Sequence, residues 1–230
     1  MPDGLCKAPH AILFDLDNTL CTFVDAKRAA CDAVIKELGV GDRDELFSYF
    51  LRPVRNFEDP GHISDYLADI GAFNEQASQR AEQIFVTVKL NSITLYPDVL
   101  RILPLLQSGN IQIAMVTDAH STNAHKRMVH LSIDSFFPIL ITPDISGKRK
   151  PDHTPFLMAM EILQTTPERT WVVGDSLRRE IEPCLSLGLT TIYARYGDWI
   201  KPDLPHVRPH HILDSFSDLI SLPGLSHLQE

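Results

Sequence analysis

Short apolar runs and amphipathic stretches alternate along this chain in two distinct patterns. Residues 10–15 make an apolar run of strand length that ends in acid. From Thr22 to Asn91, about 70 residues, the periodicity is helical throughout. Phe23, Ala30, Cys31, Val34, Ile35 and Leu38 recur at helical spacing, and Gly39 or Gly41 ends that helix. Arg43 to Leu51 predicts a second helix, stopped by Pro53. Ile63, Tyr66, Leu67 and Ile70 mark a third, ended by Gly71. Ala77, Ala81, Ile84, Phe85 and Val88 mark a fourth.

Strand and helix then alternate. Pro97 to Gln107 predicts a helix with Gly109 as its stop, and Ile111 to Val116 a strand. Ser121 to Leu131 (helix), Phe137 to Ile141 (strand), Thr154 to Leu163 (helix) and Thr170 to Val173 (strand) continue the pattern. Glu180 to Leu187 (helix) and Thr190 to Ala194 (strand) follow, then a short strand at His210 to Leu213 and a helix at Ser215 to Ile220. Such alternation predicts an α/β fold, a Rossmann-like parallel sheet with helices on both faces. The expected domains are a core of residues 1–21 and 92–230 and an inserted all-helical domain of residues 22–91.

Polar residues fall at the strand ends. Asp15 and Asp17 end the first run, Asp118 the second and Asp175 a later one, while Asp144 follows another. In a parallel sheet those ends share the edge where open α/β sheets bind ligands. Asp15 and Asp17, two residues apart, fall on one side of an extended chain. Two carboxylates that close repel each other unless a cation or a shared proton intervenes. Such a pair is costly as structure and useful as a nucleophile, a metal ligand or an acid/base.

Charge narrows the partners. With 21 Lys and Arg against 30 Asp and Glu, the net charge of −9 argues against a nucleic-acid or anionic-membrane surface. A local cationic pocket for a small phosphorylated metabolite remains compatible with it. The 44% hydrophobic content supports a sizeable core. No apolar run is long enough to span a bilayer. Cys6, Cys21, Cys31 and Cys184 show no CxxC spacing, so reduced thiols are expected. The opening MPDGLCKAPH lacks a signal peptide's apolar stretch, and a cytoplasmic location is the expectation. His120, His125 and His130, five apart, fall on different helix faces and do not read as metal ligands.

Four segments together resemble the haloacid dehalogenase (HAD) superfamily. Asp15-Leu16-Asp17-Asn18-Thr19 is similar to its DxDxT motif, and Thr117-Asp118 to its second, a strand ending in Thr or Ser. Lys150-Pro151-Asp152 resembles the third. Gly174-Asp175-Ser176-Leu177-Arg178-Arg179-Glu180 resembles the fourth, GDxxxxD, with Glu180 where Asp is usual. The resemblance implies a phosphatase that forms an aspartyl-phosphate, with Asp15 as nucleophile and Asp17 as general acid/base. It further implies phosphate binding by Thr117, Asp118 and Lys150, with Lys148 as the register rival of Lys150. A Mg²⁺ site is implied at Asp15, Asp175 and the Asp17 main-chain carbonyl, with Glu180 reaching it through water. Asp118 adds negative charge beside the phosphate unless it is paired.

The helical insert resembles the family's cap, with Arg52, Arg55 and His62 as candidate substrate contacts, the alternative being a solvated surface. Within the superfamily a phosphomutase shares these motifs. A haloacid dehalogenase lacks the second acid, which Asp17 supplies. A catalytically silent binding module on the same fold is the reading from another class.

Overall fold

Ala11-Ile12-Leu13-Phe14 forms strand β1 (Ala11–Phe14), and all four side chains are buried. An unbroken apolar run is what a parallel strand covered on both faces requires. The computed structural model describes residues 8–229. Cys6 and the leader-free reading of residues 1–7 lie outside the described residues. The chain forms two units, Met1–Thr22 with Leu95–Glu230, and Phe23–Thr94.

The unit Phe23–Thr94 is helical: α1 (Phe23–Leu38), α2 (Arg43–Tyr49), α3 (Gly61–Asp69) and α4 (Glu75–Ser92). Asp42 caps α2 by accepting from the N–H groups of Asp44 and Glu45 at 2.8 and 2.9 Å. Asn74 caps α4 by accepting from Ala77 at 3.1 Å. Helix α2 ends at Tyr49, short of Leu51, because the N–H groups of Phe50 and Leu51 turn to the tighter carbonyls of Phe47 and Ser48. α1 packs along α4 and buries Phe23, Ala30, Cys31 and Val34. Lys27 lies on that same buried face. Its ammonium donates to the Phe57 carbonyl and stands 3.3 and 4.2 Å from the ring centroids of Phe57 and Phe50. Cation–π attraction and hydrogen bonding replace the water it has lost.

The other unit continues with α5 (Val99–Ser108), β2 (Gln112–Val116), α6 (Ser121–His130), β3 (Leu140–Ile141), α7 (Pro143–Ser146) and α8 (Thr154–Ile162). β4 (Thr170–Gly174), α9 (Glu182–Ser186), β5 (Thr190–Ala194) and β6 (His211–Leu213) complete it. Among the described residues the strands form one parallel sheet in the order β3-β2-β1-β4-β5-β6. Alternate residues Ala11, Leu13, Ala114, Val116 and Val172 meet Phe156, Ala159 and Met160 of α8 on one face. On the other, the Phe14 ring meets Phe137 and Phe216, with centroids 6.0 and 6.2 Å away. Strand order reverses between β1 and β4, which opens a crevice at their carboxyl ends.

Three elements differ from the sequence reading. β3 starts at Leu140, not Phe137, because Pro138 has no N–H for a ladder. The helix expected from Glu180 begins earlier, as one wide π-type turn over Leu177–Ile181, before α9. The N–H of Ile181 reaches the Ser176 carbonyl at 3.2 Å, and Pro183 brings no donor to the following turn. Ser215 and Asp218 form a capping box on a 3₁₀ turn, Phe216–Ser221, in place of an α-helix. Cys21, Cys31 and Cys184 are free and buried. Among the described residues no helix is long and apolar enough to cross a membrane.

Candidate active site

β1 delivers Asp15 to the β1/β4 crevice with its side chain almost wholly buried. Its N–H still pairs with the Val173 carbonyl at 3.0 Å, so the strand's register fixes its place. The chain then turns sharply. Asn18 adopts a left-handed conformation (φ 63°), which Asn tolerates better than most residues. The hydroxyl of Thr19 points back and donates to Asp15 Oδ2 at 3.2 Å. Tyr196 braces this turn from outside the motif, its hydroxyl donating to the Thr19 carbonyl at 2.6 Å. A Cβ on neighbouring Gly197 would fall on the Asn18 carbonyl oxygen, so the close approach needs glycine there.

β2 ends in buried Thr117, whose Oγ1 accepts from the Ala119 N–H at 3.2 Å. Lys150 comes from the loop before α8 and is buried, whereas Lys148 is exposed. Lys150 Nζ donates to Asp15 Oδ1 at 2.5 Å and to the Val116 carbonyl at 3.0 Å. It also lies 2.6 Å from Glu180 Oε1. Burial disfavours its charge, but Asp15 and Glu180 outweigh burial and hold its proton more tightly than an ordinary lysine's.

Asp118 is paired. Its carboxylate accepts the Lys150 backbone N–H at 2.9 Å, and its carbonyl accepts from Arg149 at 2.8 Å. Its side chain therefore ties the lysine loop to the end of β2. Asp175, after β4, is buried and accepts from Arg179 Nη2 at 3.3 Å. Burial raises the Asp175 pKa well above its ordinary value, and Glu180 and Asp15 add to the rise against Arg179 and Lys150. Glu180 Oε2 accepts the Ser176 N–H at 3.0 Å, so both its oxygens are engaged.

Asp17 has polar neighbours of its own, and Cys21 Sγ donates to its Oδ1 at 4.0 Å. Its Oδ2 lies 3.3 Å from Nη1 of Arg127, a buried residue of α6 that no motif includes. A signal for Arg127 was present: Ala124, Arg127 and Met128 share the apolar stripe of an otherwise polar helix. Nothing local marked Tyr196, which meets Thr19 across 177 positions.

Several expected participants lie apart. Asp144 accepts the Ser121 N–H at 3.0 Å and caps α6, outside the carboxylate cluster. His120, His125 and His130 are exposed. In the helical unit Arg55 makes a two-point contact with Asp65, at 2.7 and 3.0 Å, and Arg52 lies 3.4 Å from Asp69. His62, read as a substrate contact or else a solvated residue, is buried, with Nε2 3.2 Å from the Asn56 carbonyl.

Among the described residues no group of three His, Cys, Asp or Glu side chains stands gathered for a cation. The acid pair Asp15 and Asp175 is instead interleaved with Lys150 and Arg179. The donor chemistry nevertheless fits Mg²⁺, which takes one or two carboxylates and keeps room for phosphate and water. A buried carboxylate whose proton affinity is raised by burial and by its acidic neighbours is one that a divalent cation relieves.

Residues 12–194 match the sequence profile of the haloacid dehalogenase-like hydrolases. The chain belongs to that family. Phosphoglycolate phosphatase of Salmonella typhi is 33% identical, over 95% of this chain and 94% of its own. Glyceraldehyde 3-phosphate phosphatase of Pyrococcus furiosus is 23% identical over 85% and 84%. The fold of the HAD hydrolase YfnB from Bacillus subtilis, solved bound to magnesium, is shared with a TM-score of 0.75 at 20% identity, over 94% of this chain and 98% of YfnB.

Proposed function

We propose that this protein is a Mg²⁺-dependent phosphatase that moves the phosphoryl group of a small phosphorylated metabolite onto Asp15 and then to water. The observation that carries this reading is the clamp on Asp15, one oxygen on Lys150 and the other on Thr19, at the crevice between β1 and β4. A carboxylate so held points a fixed lone pair at an incoming phosphorus, and positioning of this kind is much of phosphoryl-transfer catalysis.

Asp15 forms a bond to phosphorus as the ester P–O bond breaks, and the electron pair leaves with the ester oxygen. Asp17 gives that oxygen a proton. In the second half Asp17 takes a proton from water, the resulting hydroxide attacks phosphorus, and Asp15 and inorganic phosphate are released. Thr117 donates its hydroxyl to a phosphoryl oxygen, and Lys150 balances the charge that would otherwise repel the phosphate from Asp15, Asp175 and Glu180. Asp118 serves by holding the Lys150 loop. Mg²⁺, held by Asp15, Asp175 and the Asp17 main-chain carbonyl, would supply further neutralisation of the phosphoryl charge. The helical unit is read as the cap that selects the leaving group.

The relatives named above act on phosphoglycolate and on glyceraldehyde 3-phosphate, and small carbon phosphates of that kind are the proposed substrates. The test is phosphate release from p-nitrophenyl phosphate and from a panel of two- and three-carbon phosphates, with Mg²⁺ and with EDTA. Release by the wild type that needs Mg²⁺ and disappears in Asp15→Asn is expected. Silence across the whole panel while Mg²⁺ binds would favour a binding module instead.

A further inference from the structure

Arg127 is a buried cation beside Asp17 that the mechanism above leaves without a role. Only 3% of its side chain is exposed, against 17% for its partner Asp17, and Nη1 lies 3.3 Å from Asp17 Oδ2. Burying a guanidinium is costly unless an acceptor compensates it. The helix that carries it is fixed at its far end, where Asp144 caps it through Ser121. Arg127 is thus a stiff arm, and Asp17 is what it meets. The backbone of the Asp17 turn is set by bonds from Asn18 to Cys21 (2.8 Å) and from Leu20 to Leu16 (2.9 Å). Those bonds leave the terminal torsion of the Asp17 carboxylate unset, and such torsions are broad. The charged contact from Arg127 at Oδ2, with the longer contact from Cys21 Sγ at Oδ1 (4.0 Å), sets it.

We infer that Arg127 is a positioning residue that orients the Asp17 carboxylate for proton transfer to the leaving oxygen. The inference rests on the phosphatase reading. Its consequence depends on the ester. When Asp15 takes the phosphoryl group, the ester P–O bond breaks and the oxygen keeps the electron pair. An alkoxide needs the Asp17 proton at that moment, whereas p-nitrophenolate is stable enough to leave without it. A misplaced Asp17 therefore slows the first half-reaction for alkyl esters and spares the nitrophenyl ester. A residue that only packs the core, or one that only binds phosphate, affects both esters alike.

The experiment compares kcat/KM, which reports that first half-reaction, for p-nitrophenyl phosphate and for the alkyl monoester the wild type hydrolyses fastest. Arg127→Met is expected to lose about 100-fold on the alkyl ester and less than about threefold on the nitrophenyl ester. Arg127→Lys keeps a cation but not the planar fork, and about tenfold of the loss should return. If Arg127→Met does not fold by circular dichroism, Arg127→Lys carries the test alone, with its smaller loss confined to the alkyl ester. Equal losses on both esters, or a loss entirely in KM, would overturn the inference while the phosphatase reading stands. A wild type inert toward every ester overturns the phosphatase reading itself, and the inference falls with it.

Discussion

A Cβ on Gly174 would stand 2.5 Å from Cγ of Glu180, in the space that the glutamate uses to fold back toward Lys150. The glycine ending β4 and the glutamate six residues on are therefore one device. The longer acid does not need the position of the usual aspartate, because the wide turn and the missing Cβ route its carboxylate to the lysine. Gly174→Ala should push Glu180 off Lys150 and cost about 1–3 kcal/mol, read as a lower urea midpoint together with reduced kcat. A variant with wild-type midpoint and wild-type turnover would show that Glu180 has another route.

Lys150 holds two buried carboxylates at once, Asp15 at 2.5 Å and Glu180 at 2.6 Å. Lys150→Met leaves both without that cation. Breaking a buried pair from one side costs about 3–5 kcal/mol, so this variant should unfold at markedly lower denaturant as well as lose phosphatase activity. An unchanged unfolding midpoint would mean that Arg179 alone compensates the cluster.

Metal binding can be read without turnover. A ligand that binds only the folded state stabilises it by about 2.7 kcal/mol at one hundred times its Kd. Mg²⁺ should raise the melting temperature of the wild type, EDTA should reverse the rise, and Asp175→Asn should abolish it. A melting temperature indifferent to Mg²⁺ at millimolar levels would count against the proposed ligand set.

His62 gives the helical unit a pH dependence of definite sign. Burial lowers its pKa and Lys27 acts the same way, against the Asn56 carbonyl, Asp59 and Asp65. The unfolded chain then takes up the proton first as pH falls. Stability from neutral His62 is complete above the unfolded value, about 6.5, and is lost as pH falls through the lower folded value. Between about pH 7.5 and 5.5 the wild type should lose more melting temperature than His62→Gln. Parallel curves for the two proteins would remove His62 as the cause.

Much of this molecule is legible in its sequence, and unevenly. Helix α1 and the strands β1, β2, β4 and β5 follow from periodicity, because burial on one or both faces repeats with the geometry of the element. β3 and the turn after Asp175 depart from the pattern because one proline and one i−5 hydrogen bond override it. Lys27 shows the limit of residue type as a guide. Its charge argues for the surface, yet aromatic rings and a carbonyl receive it in the interior.

The sequence by itself determined which residues stand at strand ends: Asp15, Thr117 and Asp175 occupy those places because each apolar run stops at the residue before. It could not determine which polar groups meet. Lys150 joins Asp15 across 135 positions, Arg127 turns to Asp17, and Asp118 is tied to a backbone N–H. Those choices belong to the tertiary structure. A buried charge must find a compensating partner, and which partner lies within reach is set by the order of strands in the sheet and the direction in which each loop leaves it.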